Sequence, residues 1–226
     1  MKTQKLTDLL DAVSWQRLTE LTIELVKRES EAPPGHEAAV GAYIVDFFQK
    51  LKIPVQKQSC EGERFNVIAT IPGSDSTLKP YLYIGHMDVV PAGNPAAWTI
   101  MPYEPALQDG KVYGRGAADM KGSIACMLHL AEIFAGKQYC PKRPIQMLFN
   151  IDEEHHNTGI KRFIESSPQA ELAIIGEPTA AQIHLGHRGV MAYQADFRVR
   201  VPMRHSRSWE RMPLNRRWYF ASGCKI

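Results

Sequence analysis

The sequence predicts an α/β fold in which a largely parallel sheet is flanked by helices, and three observations carry that expectation. Short apolar runs bounded by polar or glycine residues recur along the chain, helix-period segments alternate with them, and acidic residues or a histidine follow the runs. Trp15, Leu18, Leu21, Leu25 and Val26 recur at helical spacing, with Ser14 placed as the N-cap. A second helix follows Pro33-Pro34-Gly35 and gathers Ala39, Val40, Tyr43, Ile44, Phe47 and Phe48 on one face. Strands are expected at Phe65–Ile71, Tyr81–Ile84, Ile145–Ile151 and Leu172–Ile175, the last three buried on both faces. Ile124, Met127, Leu128, Ala131 and Phe134 form a helix entered through Lys121-Gly122. No internal repeat or low-complexity linker interrupts this order.

Composition narrows the class further. With 44% hydrophobic and 23% charged residues over 226 positions, the chain carries enough apolar surface to offset its entropy, which excludes collagenous, low-complexity and disordered proteins. The formal charge of +3 suggests a nucleic-acid or phosphate partner, but its distribution argues against one. Residues 201–226 hold six basic residues (Arg204, Arg207, Arg211, Arg216, Arg217, Lys225) against Glu210 alone, whereas residues 1–200 hold 21 basic and 23 acidic. Asp8 and Asp11 interrupt the N-terminal stretch before the roughly 7–15 apolar residues of a signal peptide can form. No stretch approaches the roughly 20 apolar residues of a membrane span. Cys60, Cys126, Cys140 and Cys224 lie far apart, so free thiols and a cytoplasmic location are expected.

The polar residues concentrate at the ends of the apolar runs. Tyr81–Ile84 leads into Gly85-His86-Met87-Asp88, Ile145–Ile151 into Asp152-Glu153-Glu154, and Leu172–Ile175 into Gly176-Glu177-Pro178-Thr179. Asp119 lies in Gly114-Arg-Gly-Ala-Ala-Asp-Met-Lys-Gly122, just before a helix. Sites in open α/β sheets lie beyond the carboxyl ends of strands, so these four segments are expected to converge. One histidine and several carboxylates without cysteine suit a borderline metal such as zinc, whose charge would also suppress carboxylate repulsion. His86 and Asp88 are two apart, so in extended chain both face one side: His86 can ligate while Asp88 accepts from its other nitrogen. Glu153 and Glu154 are adjacent and point differently, so one can ligate while the other faces substrate as a general base. Taken singly, each of these short patterns reads as a solvated loop or turn.

Together the segments 85–91, 109–122, 152–154 and 175–179 strongly resemble, in order and approximate spacing, the two-zinc amidohydrolase and metallopeptidase family. That family includes acetylornithine deacetylase, succinyl-diaminopimelate desuccinylase, aminoacylase and the carboxypeptidase-G type. Ile174–Thr179 followed by Gly186-His187-Arg188-Gly189 looks most like the acetylornithine deacetylase branch, which implies arginine biosynthesis. The resemblance implies a zinc-peptidase-like catalytic domain that takes up to two zinc or cobalt ions. His86 and Glu177 would hold one ion, Asp119 would bridge both, and Glu154 would hold the second. Glu153 would be the general base and Asp88 would orient His86. The metals would polarise an amide carbonyl and activate water, and Glu153 would pass the proton to the departing amine. A cis peptide at Asp119–Met120 is implied as well.

The resemblance covers roughly residues 10–200. It implies a partial catalytic domain over 1–180, the start of a lid and dimerisation domain over 181–200, and a non-matching basic tail over 201–226 that contains Trp209 and Trp218. The tail is expected to be out-of-frame translation or an artefact after a truncated gene; a genuine basic extension is the alternative. Family members return after the lid to supply a last histidine to the second metal, so the expectation here is one well-held ion, a weak second site and impaired hydrolysis. Ile183–Arg200 reads as the lid's opening strand. The expected substrate is an N-acyl amino acid or peptide, with no nucleic-acid or membrane partner; the family homodimerises through its lid. Alternatives are an inactive or single-metal remnant, a dipeptidase or carboxypeptidase of the same family, and nucleic-acid binding by the tail. His155, His156 and His187 are set aside as loop or packing residues, and His129 as structural. Trp98 and Tyr103 support the loop before Asp119, and no role is assigned to Arg115 or Lys121.

Overall fold

The computed structural model describes residues 2–186. The chain divides at Pro178–Thr179 into two units, and the sheet, core and candidate site all belong to the first. Among the described residues five α-helices, α1 (Lys2–Leu10), α2 (Trp15–Val26), α3 (Ala38–Lys50), α4 (Gly122–Gly136) and α5 (Thr158–Glu165), accompany seven strands. The strands are β1 (Val55–Glu61), β2 (Arg64–Ile71), β3 (Tyr81–His86), β4 (Ala106–Gln108), β5 (Lys111–Tyr113), β6 (Ile145–Asn150) and β7 (Leu172–Ile175). The four expected strands and three expected helices are present; α1, α5, β1 and the small β4–β5 hairpin were not anticipated. Residues 183–186 carry no strand, and the rest of the expected lid strand, like residues 201–226, lies outside the described residues.

The main sheet runs β1-β2-β6-β3-β7 and is mixed rather than largely parallel. Its parallel part is β6-β3-β7, while β1–β2 and β2–β6 pair antiparallel. A tight turn is the reason for the first of these antiparallel pairings. Gly62, at φ 56, reverses the chain between Glu61 and Arg64 and makes β1–β2 a hairpin, which the apolar-run reading does not detect because β1 is Val-Gln-Lys-Gln-Ser-Cys-Glu.

Alternation along the strands builds two cores. Val67, Ala69, Ile71, Met147 and Phe149 face Leu21, Leu25, Ile44, Phe48, Ile124 and Leu128 of α2, α3 and α4. Ile68, Leu82 and Leu148 face the opposite side, where Phe163 of α5 covers them. The Ser14 hydroxyl accepts from the Arg17 amide and caps α2 as expected. The start of α5 lies directly on the end of β6: a Cβ at Gly159 would stand 2.6 Å from the backbone of Ile151. Asn66 stitches the two, donating to the Gly159 carbonyl at 2.8 Å and accepting from the Ile151 amide at 3.2 Å. His129 is structural as anticipated, accepting from the Ser14 amide at 3.0 Å and lying against Glu132.

β7 corrects one expectation. It pairs with β3 alone among the described residues and is exposed along its length, so it is an edge strand rather than one buried on both faces. Apolar runs do not distinguish a strand covered on both faces from one whose cover lies elsewhere. A largely apolar cavity of about 360 Å³, lined in part by Leu18, Tyr83, Met127, Leu130 and Ile174, opens beside it.

The contrast between centre and edge is measurable. Phe149→Ala, at a fully buried position, is expected to cost about 3–5 kcal/mol by urea unfolding. Ile174→Ala, on the edge strand, should cost about 1 kcal/mol or less. Equal costs would contradict the edge position of β7.

Candidate metal centre

Parallel pairing aligns three strand ends. His86 of β3 stands opposite Asn150 of β6, and Ile84 opposite Ile175 of β7, so the segments that follow leave the sheet on one side. His86 is buried and its Nδ1 donates to the carbonyl of Asp88 at 2.9 Å, which directs Nε2 toward the carboxylates. Nε2 lies 3.1 Å from Asp119, 3.7 Å from Glu177 and 3.9 Å from Glu153.

Each carboxylate is held by its own backbone device. Asp119 sits in a distorted turn, Ala117–Lys121, entered through Gly116 at φ 80, and the Asp119–Met120 peptide is cis. Lys121, fully buried, ties that turn to the end of α2 by donating to the Arg28 carbonyl at 2.7 Å. Burial, with Arg28 adding to it, pulls the Lys121 ammonium down to about 7. Glu177 follows β7, where the Gly176 amide donates to Ile84 at 3.1 Å and the Ser123 hydroxyl donates to the Gly176 carbonyl.

The glutamate pair is gripped from two directions. On the site side, both oxygens of Asp88 are occupied, by the amide of Glu153 at 3.1 Å and that of Glu154 at 3.0 Å. Behind the loop, Arg64 pairs with Glu37 and lies 3.1 Å from Asp152, whose amide donates to Glu37 at 3.2 Å. This geometry changes the expected part of Asp88. Its carbonyl orients His86, while its carboxylate, 3.7 Å from Nδ1, secures the loop of the two glutamates. Side-chain spacing alone favours the carboxylate because it does not show where backbone amides will point.

Charge accumulates where these groups meet. Burial opposes protonation of His86, but the Asp119 hydrogen bond and the charges of Asp88, Glu177 and Glu153 outweigh it and hold the imidazole up at about 9. Burial, reinforced by Asp119, pushes the Glu154 carboxyl up to about 7 despite the opposing pull of His86. Burial raises Glu177 too, while the His86 hydrogen bond lowers Asp119. Such an excess of carboxylate is relieved by a cation. His86, Asp119 and Glu177 each offer a ligand atom, as do His86, Glu153 and Glu154, with the atoms of each group within 4.8 Å of one another. One imidazole with oxygen donors fits a divalent metal.

The six residues singled out by sequence, His86, Asp88, Asp119, Glu153, Glu154 and Glu177, therefore belong to one neighbourhood. His187 lies outside the described residues. Trp98 donates to the Ala92 carbonyl at 2.9 Å, and Tyr103 to Glu31 at 2.7 Å, supporting the loop before Asp119. Arg115 lies over the Trp98 ring at 5.0 Å. Arg64, Glu37 and Lys121 are the positioning groups sequence reasoning misses. Arg64 and Glu37 are 27 residues apart, and each reads alone as ordinary surface charge.

Comparison with known proteins identifies the family and the fold. The chain is 33% identical over 186 residues to a succinyl-diaminopimelate desuccinylase of Xanthomonas euvesicatoria, covering 76% of this chain and 47% of that protein. It thus spans about half the length of the curated relative it matches. Human carnosine dipeptidase 1 superposes with TM-score 0.62 at 22% identity, over 79% of this chain and 41% of that one. The metallo-carboxypeptidase Sso-CP2 of Sulfolobus solfataricus superposes with TM-score 0.61 at 22% identity, over 69% and 36%. At such identities these two likenesses show the fold. The profile of peptidase family M20/M25/M40 matches residues 82–215, a span that takes in His86, Asp119, both glutamates and Glu177 and runs past residue 200, and the chain belongs to that family.

Proposed function

We propose that the chain carries the metal-binding part of an amide hydrolase that cleaves the C–N bond of an N-acyl amino acid or short peptide with metal-activated water. The observation that carries this reading is the placement of His86, Asp119 and Glu177 around one point, with Glu153 and Glu154 beside it. In this reading His86, Asp119 and Glu177 hold one ion, and Asp119 and Glu154 contribute to a second. Zinc or cobalt suits the nitrogen and oxygen donors. Such an ion, when bound, polarises the scissile carbonyl and acidifies water.

The chain's own residues do the rest. The Nδ1–H to Asp88 contact makes Nε2 the nitrogen that would bind once its proton has left, a tautomer that the carbonyl acceptor selects. The two amides on Asp88 fix where Glu153 and Glu154 begin, so the adjacent side chains diverge from a rigid base. Glu153 keeps 40% of its side chain exposed, which leaves it able to take the proton of attacking water and return it to the departing nitrogen. Burying Asp88 while leaving Glu153 at the opening separates the group that positions from the group that transfers protons.

For the substrate, the 33%-identical relative is named for N-succinyl-diaminopimelate rather than N-acetylornithine. Both are N-acyl diamino acids, and that shared chemistry is the class proposed, with dipeptides as the second reading because the matched family is one of peptidases. The deciding assay is hydrolysis of N-succinyl-diaminopimelate, N-acetylornithine and a dipeptide panel by the zinc- or cobalt-loaded chain. Absence of turnover on all of them, with metal bound, would overturn the proposal.

Two outcomes follow from the geometry. Glu153→Gln is expected to lower turnover about 10²–10⁴-fold with zinc affinity little changed, because only proton transfer is removed. Zinc affinity should also climb with pH. His86 holds its proton up to about 9 and Glu154 up to about 7, and those protons must leave before the metal binds. Titration calorimetry at a series of pH values checks this, and an affinity independent of pH between those values would contradict it.

A further inference from the structure

We propose that the turn after the glutamate pair forms a separate transition-metal site, built from Asp152, His155 and His156. These residues offer one carboxylate oxygen and two imidazole nitrogens within 4.8 Å of one another, and they share no ligand with either group that contains His86. Asp152 is a preorganised donor. It is buried, held by Arg64 on one oxygen at 3.1 Å and by the Thr158 hydroxyl and amide on the other, so its position does not depend on a metal.

The two histidines are the exposed half of the site, and their rings lie 3.6 Å apart between centroids. His155 Nδ1 stands 3.9 Å from Asp152 Oδ1, too far for a hydrogen bond. Two donors that each stand about 2.0–2.2 Å from a common tetrahedral ion are separated by roughly 3.3–3.6 Å, so the exposed imidazole need close in by only a few tenths of an ångström. Among the described residues, Asp152 is the one side chain that pairs with either ring apart from the other histidine.

Charge at the turn favours a cation. Arg64 faces Glu37, Glu61 and Asp152, and Lys161 donates to the His156 carbonyl at 2.8 Å. Three carboxylates against two cations leave one negative charge. Two imidazoles and one carboxylate select a zinc-, nickel- or copper-like ion over magnesium or calcium, which prefer oxygen donors throughout. The remaining coordination positions open to water on the exposed side of the histidines.

The test is calorimetric titration of the full chain with zinc chloride, with magnesium chloride as the hard-ion control. It compares the parent with a His155→Ala/His156→Ala double variant and with His86→Ala. The double variant should lose one zinc equivalent with its unfolding midpoint unchanged, since both rings are exposed, and His86→Ala should retain that equivalent. Nickel should broaden the His155 and His156 imidazole NMR signals in the parent and in His86→Ala alike. Unchanged zinc stoichiometry in the double variant, loss of this equivalent in His86→Ala, or displacement of the zinc by magnesium would each overturn the site. His86→Ala also separates this proposal from the hydrolase reading, because it empties only the cluster on which that reading rests.

Discussion

The amides of Glu153 and Glu154 both donate to the buried carboxylate of Asp88, and this pair of hydrogen bonds sets most of what surrounds it. Asp88 follows β3 and the glutamates follow β6, so one side chain locks the ends of two parallel strands together. A buried carboxylate would be costly without partners, and here the partners are backbone groups that the loop would otherwise leave unpaired. Because the same residue offers its carbonyl to His86, the imidazole and the two glutamates are referenced to a single anchor. Arg64, Glu37 and Asp152 brace the loop from behind, which makes the turn rigid on both sides.

The candidate site is legible in the sequence because its groups sit directly after apolar runs, where an α/β sheet delivers them to one end. His86, Glu153 and Glu177 need no long-range information beyond that rule. The mixed character of the sheet is less visible. It depends on the β1–β2 hairpin, and β1 has a mostly exposed, polar sequence that lacks the alternation by which strands are recognised. The brace of Arg64, Glu37 and Asp152 is illegible for another reason. Its members are 27 and 88 residues apart and meet only once β2, α3 and the turn after β6 are in place. The exchange of roles at Asp88 is likewise a backbone matter, since side-chain spacing does not encode where the amides of the glutamate loop point.

The charge of the chain also takes on a local meaning. Over residues 1–200 acids exceed bases slightly, yet the structure gathers His86, Asp88, Asp119, Glu153, Glu154 and Glu177 into one neighbourhood. That concentration, rather than the net charge of +3, describes the electrostatics relevant to a ligand. The raised carboxyls of Glu154 and Glu177 show burial and like charge acting together there.

The ligand groups do not stand on equally firm ground. His86 leaves β3, which is paired on both sides, and the glutamate pair leaves β6, also paired on both sides. Glu177 leaves β7, which has one neighbour among the described residues and exposes Leu172, Ile174 and Ile175. Local opening concentrates in elements with few buried contacts and few partners, so the cluster should breathe from the Glu177 side while the rest stays closed. An ion held between these groups would exchange with solvent through that corner. The residence time of the ion would then be set by how often a single four-residue strand lets go of β3.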